Sequence, residues 1–237
     1  MPSTPQRLFS RLSRWLARGI FSLVCRTKII YFGDLPIGSG YILASNHISH
    51  FDPPFLGSRF RRYVDWMAME ELFRHRGSAF FMEMLCAFRV HRDGSDRNGI
   101  RIAMNRLEQG RVVGVFPEGG IRAGKGSVLE GAPMWPGVSA LSVLSRKPIV
   151  PGVILGTDRL YDKKNWLRFR RVSVWIGFGE KILPRLDLPK REARELVQKS
   201  LAEAFVSVKE RLVLEFQLAE SDLPTTPQAR KREDYLP

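Results

Sequence analysis

The sequence predicts a single α/β sandwich domain with one mainly central mixed sheet, an N-terminal amphipathic helix and a long C-terminal helix. Two observations predict this class. Short apolar runs alternate along the chain with segments whose apolar residues recur at helical spacing, which is typical of a sheet covered by helices. A chain of 237 residues is also long enough to bury one full core with helical attachments.

Three stretches of the chain differ in composition. Residues 1–26 are predicted to form a membrane-associating helix, and residues 27–220 to form the folded domain. Residues 221–237 contain three prolines and mixed charges, so they are predicted to be a flexible tail.

The N-terminal segment at 6–25 has the periodicity of an amphipathic helix. At about 100° per residue, one side collects large apolar side chains, namely Leu8, Leu12, Trp15, Leu16, Ile20 and Leu23. Another side collects the arginines Arg7, Arg11, Arg14 and Arg18. A basic face opposite Leu, Ile and Trp is typical of a helix that lies in a membrane interface. The alternative is a helix that packs on its own domain and leaves its arginines in solvent.

The elements of the domain follow in order from the apolar patterns. The first half contains strands at 28–32, 40–45 and 63–68, a helix at 77–86 and a strand at 87–91. The second half contains a helix at 95–109, a strand at 112–116, a glycine-rich loop at 117–133, a helix at 137–146, strands at 149–155 and 172–178, and a helix at 190–218. Gly110 ends the predicted helix at 95–109, as glycine commonly does.

The charge balance limits the function classes. The chain has 38 Lys and Arg residues against 24 Asp and Glu residues, a formal net charge of +14. Such a surplus predicts an anionic partner, which can be a lipid surface, a nucleic acid or an acidic carrier protein, although it can also serve solubility alone. The sequence has no recognisable nucleic-acid-binding motif, and its N-terminal arginines share a helix with an apolar face. We therefore expect no nucleic-acid partner.

Cysteine content and hydropathy indicate the compartment. Cys25 and Cys86 are too few for a disulfide framework and favour a reducing environment. No apolar run approaches the roughly 18 residues of a spanning helix, and the N-terminus lacks a signal-peptide cleavage site. These features predict a peripheral protein on the cytoplasmic face of the membrane.

A histidine and a carboxylate stand five positions apart in the stretch 46–53, after the apolar run 41–44. A histidine whose second ring nitrogen is held by a carboxylate is a general base that works near neutral pH. His47 and Asp52 are therefore the candidate catalytic pair. With His50 they also suggest a metal site, but the prolines that follow and the lack of a Cys pair or an HExxH helix argue against one, and no metal is expected.

Two later segments carry candidate binding residues. Arg92 follows a short predicted strand among other basic residues, and a guanidinium there can grip a phosphate through two hydrogen bonds. Glu118 lies between Pro117 and Gly119, directly after an apolar strand. A carboxylate at that place can orient an arginine, bind substrate hydroxyls or cap the next turn.

The segment 119–125 also matches a phosphate-binding P-loop as far as its lysine. Gly126 stands where a P-loop needs Ser or Thr to reach magnesium, and Gly131 and Pro133 oppose the long helix that should begin there. A nucleotide hydrolase is therefore an alternative that the sequence disfavours.

Four blocks of the sequence, taken in order, resemble those of the 1-acylglycerol-3-phosphate acyltransferase family of membrane-lipid O-acyltransferases. The first block is NHxSxxD at 46–52, and the second is an aliphatic residue, any residue and an arginine at 90–92. The third block is FPEG at 116–119, and the fourth is an IVP run on a predicted strand at 149–151. The chain departs from the family where Cys86 replaces a usual glycine and Gly120 replaces a threonine, and Arg122 comes one position late. The resemblance extends from about residue 28 to about residue 180.

This resemblance implies an acyltransferase domain at 27–220 that moves a fatty acyl group from acyl-CoA or acyl carrier protein to lysophosphatidic acid, giving phosphatidic acid for phospholipid biosynthesis. It implies that His47 is the general base and Asp52 its orienting partner. The implied phosphate-binding residues are Arg92, Glu118, Gly119 and Arg122. Such proteins use no cofactor and dock on membranes through N-terminal helices, so an anionic membrane surface is an expected partner. Another lysolipid or polar-lipid hydroxyl is the alternative acceptor.

Overall fold

The computed structural model describes residues 4–60, 62–90, 97–167 and 171–225. They form one seven-stranded mixed sheet with helices on both faces, which confirms the predicted fold class. The strands are β1 Cys25–Tyr31, β2 Tyr41–Ser45, β3 Val64–Met69, β4 Phe88–Val90, β5 Val112–Val115, β6 Ile149–Leu155 and β7 Val172–Phe178. Their order across the sheet is β1-β7-β6-β2-β5-β3-β4.

Strand direction decides where the loops gather. The five neighbours from β6 to β4 run parallel, and β1 and β7 run antiparallel to them. The carboxyl ends of the five parallel strands therefore share one edge of the sheet, called here the carboxyl edge. Open α/β sheets place their functional loops at this edge. The loops after β2 and β5 both leave from it.

The centre of the sheet is buried on both faces. Every residue of β2 and of β6 is buried, which is why these segments read as unbroken apolar runs. Because side chains alternate along a strand, neighbouring residues join different hydrophobic clusters. Ile42 and Val113 belong to one cluster, and Leu43 and Val112 to the other.

Helices cover the two clusters. Their bounds are α1 Thr4–Val24, α2 Asp52–Arg59, α3 Arg76–Met84, α4 Arg97–Glu108, α5 Gly137–Ser145, α6 Lys163–Leu167 and α7 Lys190–Phe216. Phe21 of α1 and Phe55 of α2 pack on one face of the sheet. Leu107 of α4, Leu141 of α5 and Leu201 of α7 pack on the other face.

The helix α2 is absent from the sequence prediction, since Pro53 and Pro54 favour a turn. The structure forms it because both prolines lie in its first turn, where the backbone N–H groups have no partner inside the helix to lose. Asp52 is its first residue, and a carboxylate is favourable at the positive end of the helix dipole. The short helix α6 is also absent from the prediction.

The N-terminal helix α1 has three faces. One face packs on the domain through the buried Ser10, Phe21 and Val24. Arg14 lies at the edge of this packed face and donates a hydrogen bond to the carbonyl oxygen of Gly57 at 3.0 Å. The predicted apolar stripe is exposed at Leu8, Leu12, Trp15, Leu16, Ile20 and Leu23. Within the described ranges, no helix is long and apolar enough to cross a bilayer.

A buried carboxylate ties β3 to its neighbours at the opposite edge of the sheet. Asp65 is fully buried, Arg111 donates to its Oδ1, and the guanidinium of Arg106 on α4 lies 3.7 Å from Oδ2. Burial raises the pKa of Asp65 to about 6, and the two arginines oppose that rise. Burial also lowers the pKa of Arg106, because its charge too is removed from water.

Asp65 should make the stability of the domain depend on pH. A carboxyl whose pKa rises from 3.8 to about 6 on folding binds its proton more tightly in the folded state, so the free energy of unfolding falls as pH rises through this range. The expected loss is about 3 kcal/mol between pH values of about 4 and about 7. Asp65→Asn should remove this contribution to the slope, and Asp162→Asn, at an exposed carboxylate, should keep it. Denaturant unfolding across this pH range measures both variants, and an unchanged slope in Asp65→Asn would assign the titration elsewhere.

Candidate active site

The loop after β2 closes around one carboxylate. Asp52 is fully buried, and its Oδ2 lies 2.9 Å from Nδ1 of His47. The same oxygen accepts the backbone N–H groups of Ile48 at 2.7 Å and Ser49 at 2.8 Å. An ionised carboxylate can only accept, so the neutral imidazole carries its proton on Nδ1. Within the described residues Nε2 of His47 makes no hydrogen bond, so it can accept a proton.

Aromatic rings set the plane of the imidazole. The His47 ring stacks on Phe116 with 4.2 Å between centroids, and Phe116 stacks on Trp66 with 4.7 Å between centroids. The side chain of His47 is 15% exposed, so one part of the ring reaches solvent while the rest is held. This arrangement suits a base that must meet a substrate hydroxyl in one orientation.

Thr157 holds the second oxygen of Asp52. Its buried hydroxyl donates to Oδ1, and this is the only hydrogen bond to that oxygen within the described residues. Gly156 turns the chain to place it, with φ of +92°, and a Cβ there would lie 2.3 Å from the carbonyl oxygen of Ser173. Thr157 belongs to no sequence motif that points to this role, because 105 positions separate it from Asp52. The available signal is its place just after a strand that ends at the carboxyl edge.

Asn46 fixes the start of the same loop. Its fully buried amide donates to the carbonyl oxygen of Ile154 at 3.0 Å and accepts the N–H of Ile154 at 2.8 Å. An asparagine side chain offers both a donor and an acceptor, so it can continue the pairing between the ends of β2 and β6. The end of β6 and the turn after it therefore hold the His47 loop at two points.

Glu118, in the loop after β5, holds the same loop from the other side. Its Oε2 accepts the backbone N–H of His47 at 2.6 Å. Its Oε1 accepts the hydroxyl of Ser127 at 2.7 Å and the N–H of Val128 at 3.0 Å. Burial raises the pKa of Glu118, and these hydrogen bonds oppose the rise. The N–H of Arg122 donates to the carbonyl oxygen of His47 at 2.8 Å, so the two loops are joined in both directions.

Two positions in the Glu118 loop, and Cys86 at the opposite edge of the sheet, differ in their need for glycine. Gly119 has φ of +65°, and a Cβ there would lie 2.6 Å from Nε1 of Trp135, so a larger residue would be strained and would displace the Trp135 ring. Gly120 has open space where a Cβ would stand. Cys86 has φ of +62°, in the left-handed region, which explains why a glycine is usual at this position in the family that the sequence resembles.

The structure brings together His47, Asp52, Glu118 and Gly119 in two linked loops at the carboxyl edge. Arg122 contributes its backbone there, and its side chain is exposed. Arg92 lies outside the described residues. The substrate-binding roles of Arg92, Glu118, Gly119 and Arg122 stay predictions.

The described residues give little support to the two alternative chemistries, a metal site and a nucleotide-binding P-loop. His50 is exposed, and its N–H donates to the hydroxyl of Tyr161 at 2.9 Å. Among the described residues, no three His, Cys, Asp or Glu side chains are grouped to hold a metal ion. The glycine-rich loop forms two single 3-10 turns, Gly124–Gly126 and Val128–Glu130, instead of the helix that a P-loop needs. The geometry therefore favours proton transfer by His47.

Comparison with solved structures identifies a similar fold. The lysophosphatidic acid acyltransferase PlsC of Thermotoga maritima is similar to this chain with a TM-score of 0.55 and 20% sequence identity. The similarity covers 84% of this chain and 82% of that protein. At this level of identity it shows the fold alone.

Comparison of sequences adds a relative and a family. A 1-acyl-sn-glycerol-3-phosphate acyltransferase of Bacillus subtilis is 28% identical over 138 residues, which cover 58% of this chain and 66% of that protein, just under two thirds of its length. The family model described as Acyltransferase matches residues 28–155, more than half of the chain. That match runs from β1 to the end of β6 and includes both the His47 loop and the Glu118 loop. The chain therefore belongs to the acyltransferase family.

Proposed function

We propose that this acyltransferase moves a fatty acyl group from acyl-CoA or acyl carrier protein to the free hydroxyl of lysophosphatidic acid, giving phosphatidic acid. The observation that carries the proposal is the imidazole of His47, held at Nδ1 by a buried carboxylate and open at Nε2. The named activity of the Bacillus subtilis relative, 1-acyl-sn-glycerol-3-phosphate acyl transfer, supports this choice of acceptor.

The proposed reaction begins at Nε2 of His47. This nitrogen takes the proton of the acceptor hydroxyl while the hydroxyl oxygen bonds to the thioester carbonyl carbon. Asp52 stabilises the imidazolium that forms and keeps the ring in place, as the carboxylate of a catalytic triad does. The tetrahedral adduct then breaks its C–S bond, and the thiolate leaves with the electron pair. The imidazolium returns the proton to the thiolate or to water, which restores the base.

Glu118 is proposed to act by positioning the loop after β5, which carries the predicted acceptor-binding residues Gly119 and Arg122. All three of its hydrogen bonds go to protein groups, and one of them is the backbone of His47. The loop that carries Gly119 and Arg122 is therefore fixed relative to the base. Such a loop can place the acceptor phosphate while the acceptor hydroxyl meets Nε2.

Membrane docking is proposed to occur through α1. Its exposed apolar side faces away from the domain, and the exposed Arg11 and Arg18 lie beside that side. Between Thr4 and Val24 the helix has no acidic residue. A helix of this kind buries its apolar side in the headgroup region of an anionic bilayer. The protein would then act as a peripheral enzyme on the cytoplasmic face, where its lipid acceptor is accessible.

The acyl-transfer proposal is tested by thiol release from acyl-CoA in the presence of a panel of lysolipids. Lysophosphatidate should stimulate release most strongly. His47→Ala should lower the rate by about a hundredfold to ten-thousandfold, which is the usual contribution of a general base. His50→Ala, at an exposed neighbouring histidine, should keep the parental rate. A dead His50→Ala variant with an active His47→Ala variant would contradict the assignment of the base.

The acceptor phosphate is tested at Arg92. Arg92→Ala should lower kcat/KM for lysophosphatidate by about tenfold to a hundredfold, since a charge-assisted bond to phosphate is worth about 1.5–3 kcal/mol. The KM for the thioester should stay unchanged. Arg89→Ala is the matched control, because Arg89 is exposed on β4 and pairs with Glu83 at 3.1 Å. An equal loss with a phosphate-free acceptor would show that Arg92 serves the fold.

Thr157 is tested as a positioning residue of the catalytic pair. Thr157→Val keeps the shape but leaves Oδ1 of Asp52 without its donor, so kcat should fall by about tenfold or more with little change in KM. Thr157→Ser should restore the rate, because it restores the hydroxyl. Thr27→Val is the control, since the buried hydroxyl of Thr27 has no hydrogen-bond partner within the described residues. If Thr157→Ser were as slow as Thr157→Val, the methyl group and not the hydrogen bond would be responsible.

A further inference from the structure

A second exposed apolar surface lies beside α1. The helix α3 has no buried residue, and Phe80 and Phe81 on it are 63% and 47% exposed. Leu72, in the 3-10 turn Glu70–Phe73 that precedes α3, is 48% exposed. Exposed apolar side chains that form a contiguous patch commonly mark an interaction site on a protein surface.

This surface is continuous with the exposed side of α1. The Phe81 ring meets the Phe9 ring of α1 edge to face, with 6.0 Å between centroids. The hydroxyl of Ser10 donates to the carbonyl oxygen of Met84 at 2.8 Å, which fixes the first half of α1 on the end of α3. Leu12 and Leu16 are exposed three and seven positions after Phe9, a helical spacing that places all three on one side of α1, so the apolar side chains of the two helices adjoin.

The charges around the two helices select the occupant. Arg11 and Arg18 on α1 are exposed, as are Arg74 and Arg76 at the start of α3. The acidic residues of this region are Glu83, which pairs with Arg89 at 3.1 Å, and Glu70 and Glu71 in the 3-10 turn. A second copy of the chain docked on this surface would bring the arginines of two α1 helices together, and α1 has no acidic residue to offset them. An anionic lipid surface instead complements them, and its acyl region accepts the phenylalanines.

We propose that α1 and α3 together form one lipid-docking face, in which Phe80 and Phe81 insert beside the apolar side of α1. The inference rests on the membrane docking of the proposed function and adds a second element to it. The course of the chain places this lipid-docking face relative to the candidate active site. β3 ends and leads toward α3 at the carboxyl edge, and α1 ends at the same edge, where Cys25 pairs with Val172. A bilayer on this face therefore lies beside the edge that carries His47.

The test is cosedimentation of the full chain with vesicles of phosphatidylglycerol and phosphatidylcholine. Phe80→Ser/Phe81→Ser should weaken vesicle binding by on the order of tenfold or more, because two large apolar side chains lose their transfer to lipid. Phe80→Trp/Phe81→Trp should bind at least as tightly as the parent, since Trp is favoured at the membrane interface. Leu183→Ser/Leu186→Ser is the matched control, as both leucines are exposed and lie just after Ile182, which pairs with Ile149 at the far end of β6.

The outcomes separate this inference from the proposed function. If Arg11→Gln/Arg18→Gln weakens binding and Phe80→Ser/Phe81→Ser does not, α1 docks alone and the inference is wrong. If the serine variant instead converts a dimer to a monomer by sedimentation, a second copy covers the face and the inference is wrong as well. Acyl transfer to a short-chain, monomeric lysophosphatidate should be equal in the serine variant and the parent. A parent that fails to acylate that acceptor would reject the proposed function, whatever the vesicle result.

Discussion

The buried carboxylate of Asp52 is the constraint on which the site depends. A full negative charge without exposed surface is costly unless every lone pair finds a donor. Here the donors are the imidazole of His47, two backbone N–H groups of the loop and the hydroxyl of Thr157. Satisfying the charge therefore forces the loop to close, orients the imidazole and ties both to the turn after β6. The orientation of the imidazole therefore follows from the hydrogen bonds that the buried carboxylate requires.

A second buried carboxylate, that of Glu118, also fixes loops through its hydrogen bonds. Glu118 is also buried and accepts three hydrogen bonds, one from the loop that follows β2 and two from its own segment after β5. Asp52 organises the loop that follows β2, and Glu118 joins this loop to the segment after β5. Both strands are central and parallel, so their carboxyl ends stand side by side. The two carboxylates together join the loops at adjacent strand ends into one hydrogen-bonded unit.

The N-terminal helix shows how one segment serves both the fold and a surface. A helix that only binds a lipid surface, or only packs on its own domain, needs one apolar face and one polar face. The helix α1 has a third face, because Phe21 and Val24 enter the core while Trp15 remains 73% exposed. Arg14 lies between these faces and binds the domain, with its guanidinium over the ring of Tyr63 at 4.5 Å. The helix is thereby held at a fixed angle with its apolar side outward.

Local patterns in the sequence are sufficient to locate the strands of the sheet and the pair of catalytic candidates. Buried parallel strands must be apolar throughout, and the five-residue spacing of His47 and Asp52 is local enough to be read from one loop. Such patterns also show that the N-terminal segment is amphipathic, because helical periodicity needs no tertiary contact. They do not reveal α2, since local propensity treats two successive prolines as a turn and only packing of Phe55 against the sheet makes the helix worthwhile.

The tertiary structure alone decided which residues complete the site. Thr157 and Ser127 carry no motif, and they meet Asp52 and Glu118 only because strands distant in sequence end at the same edge. It likewise decided that the apolar side of α1 faces outward and adjoins Phe80 and Phe81, since a hydrophobic pattern fixes which residues share a face and not what that face meets. Local pattern is encoded over a few residues, whereas the partners of a buried charge or an exposed ring are fixed by the topology of the whole chain.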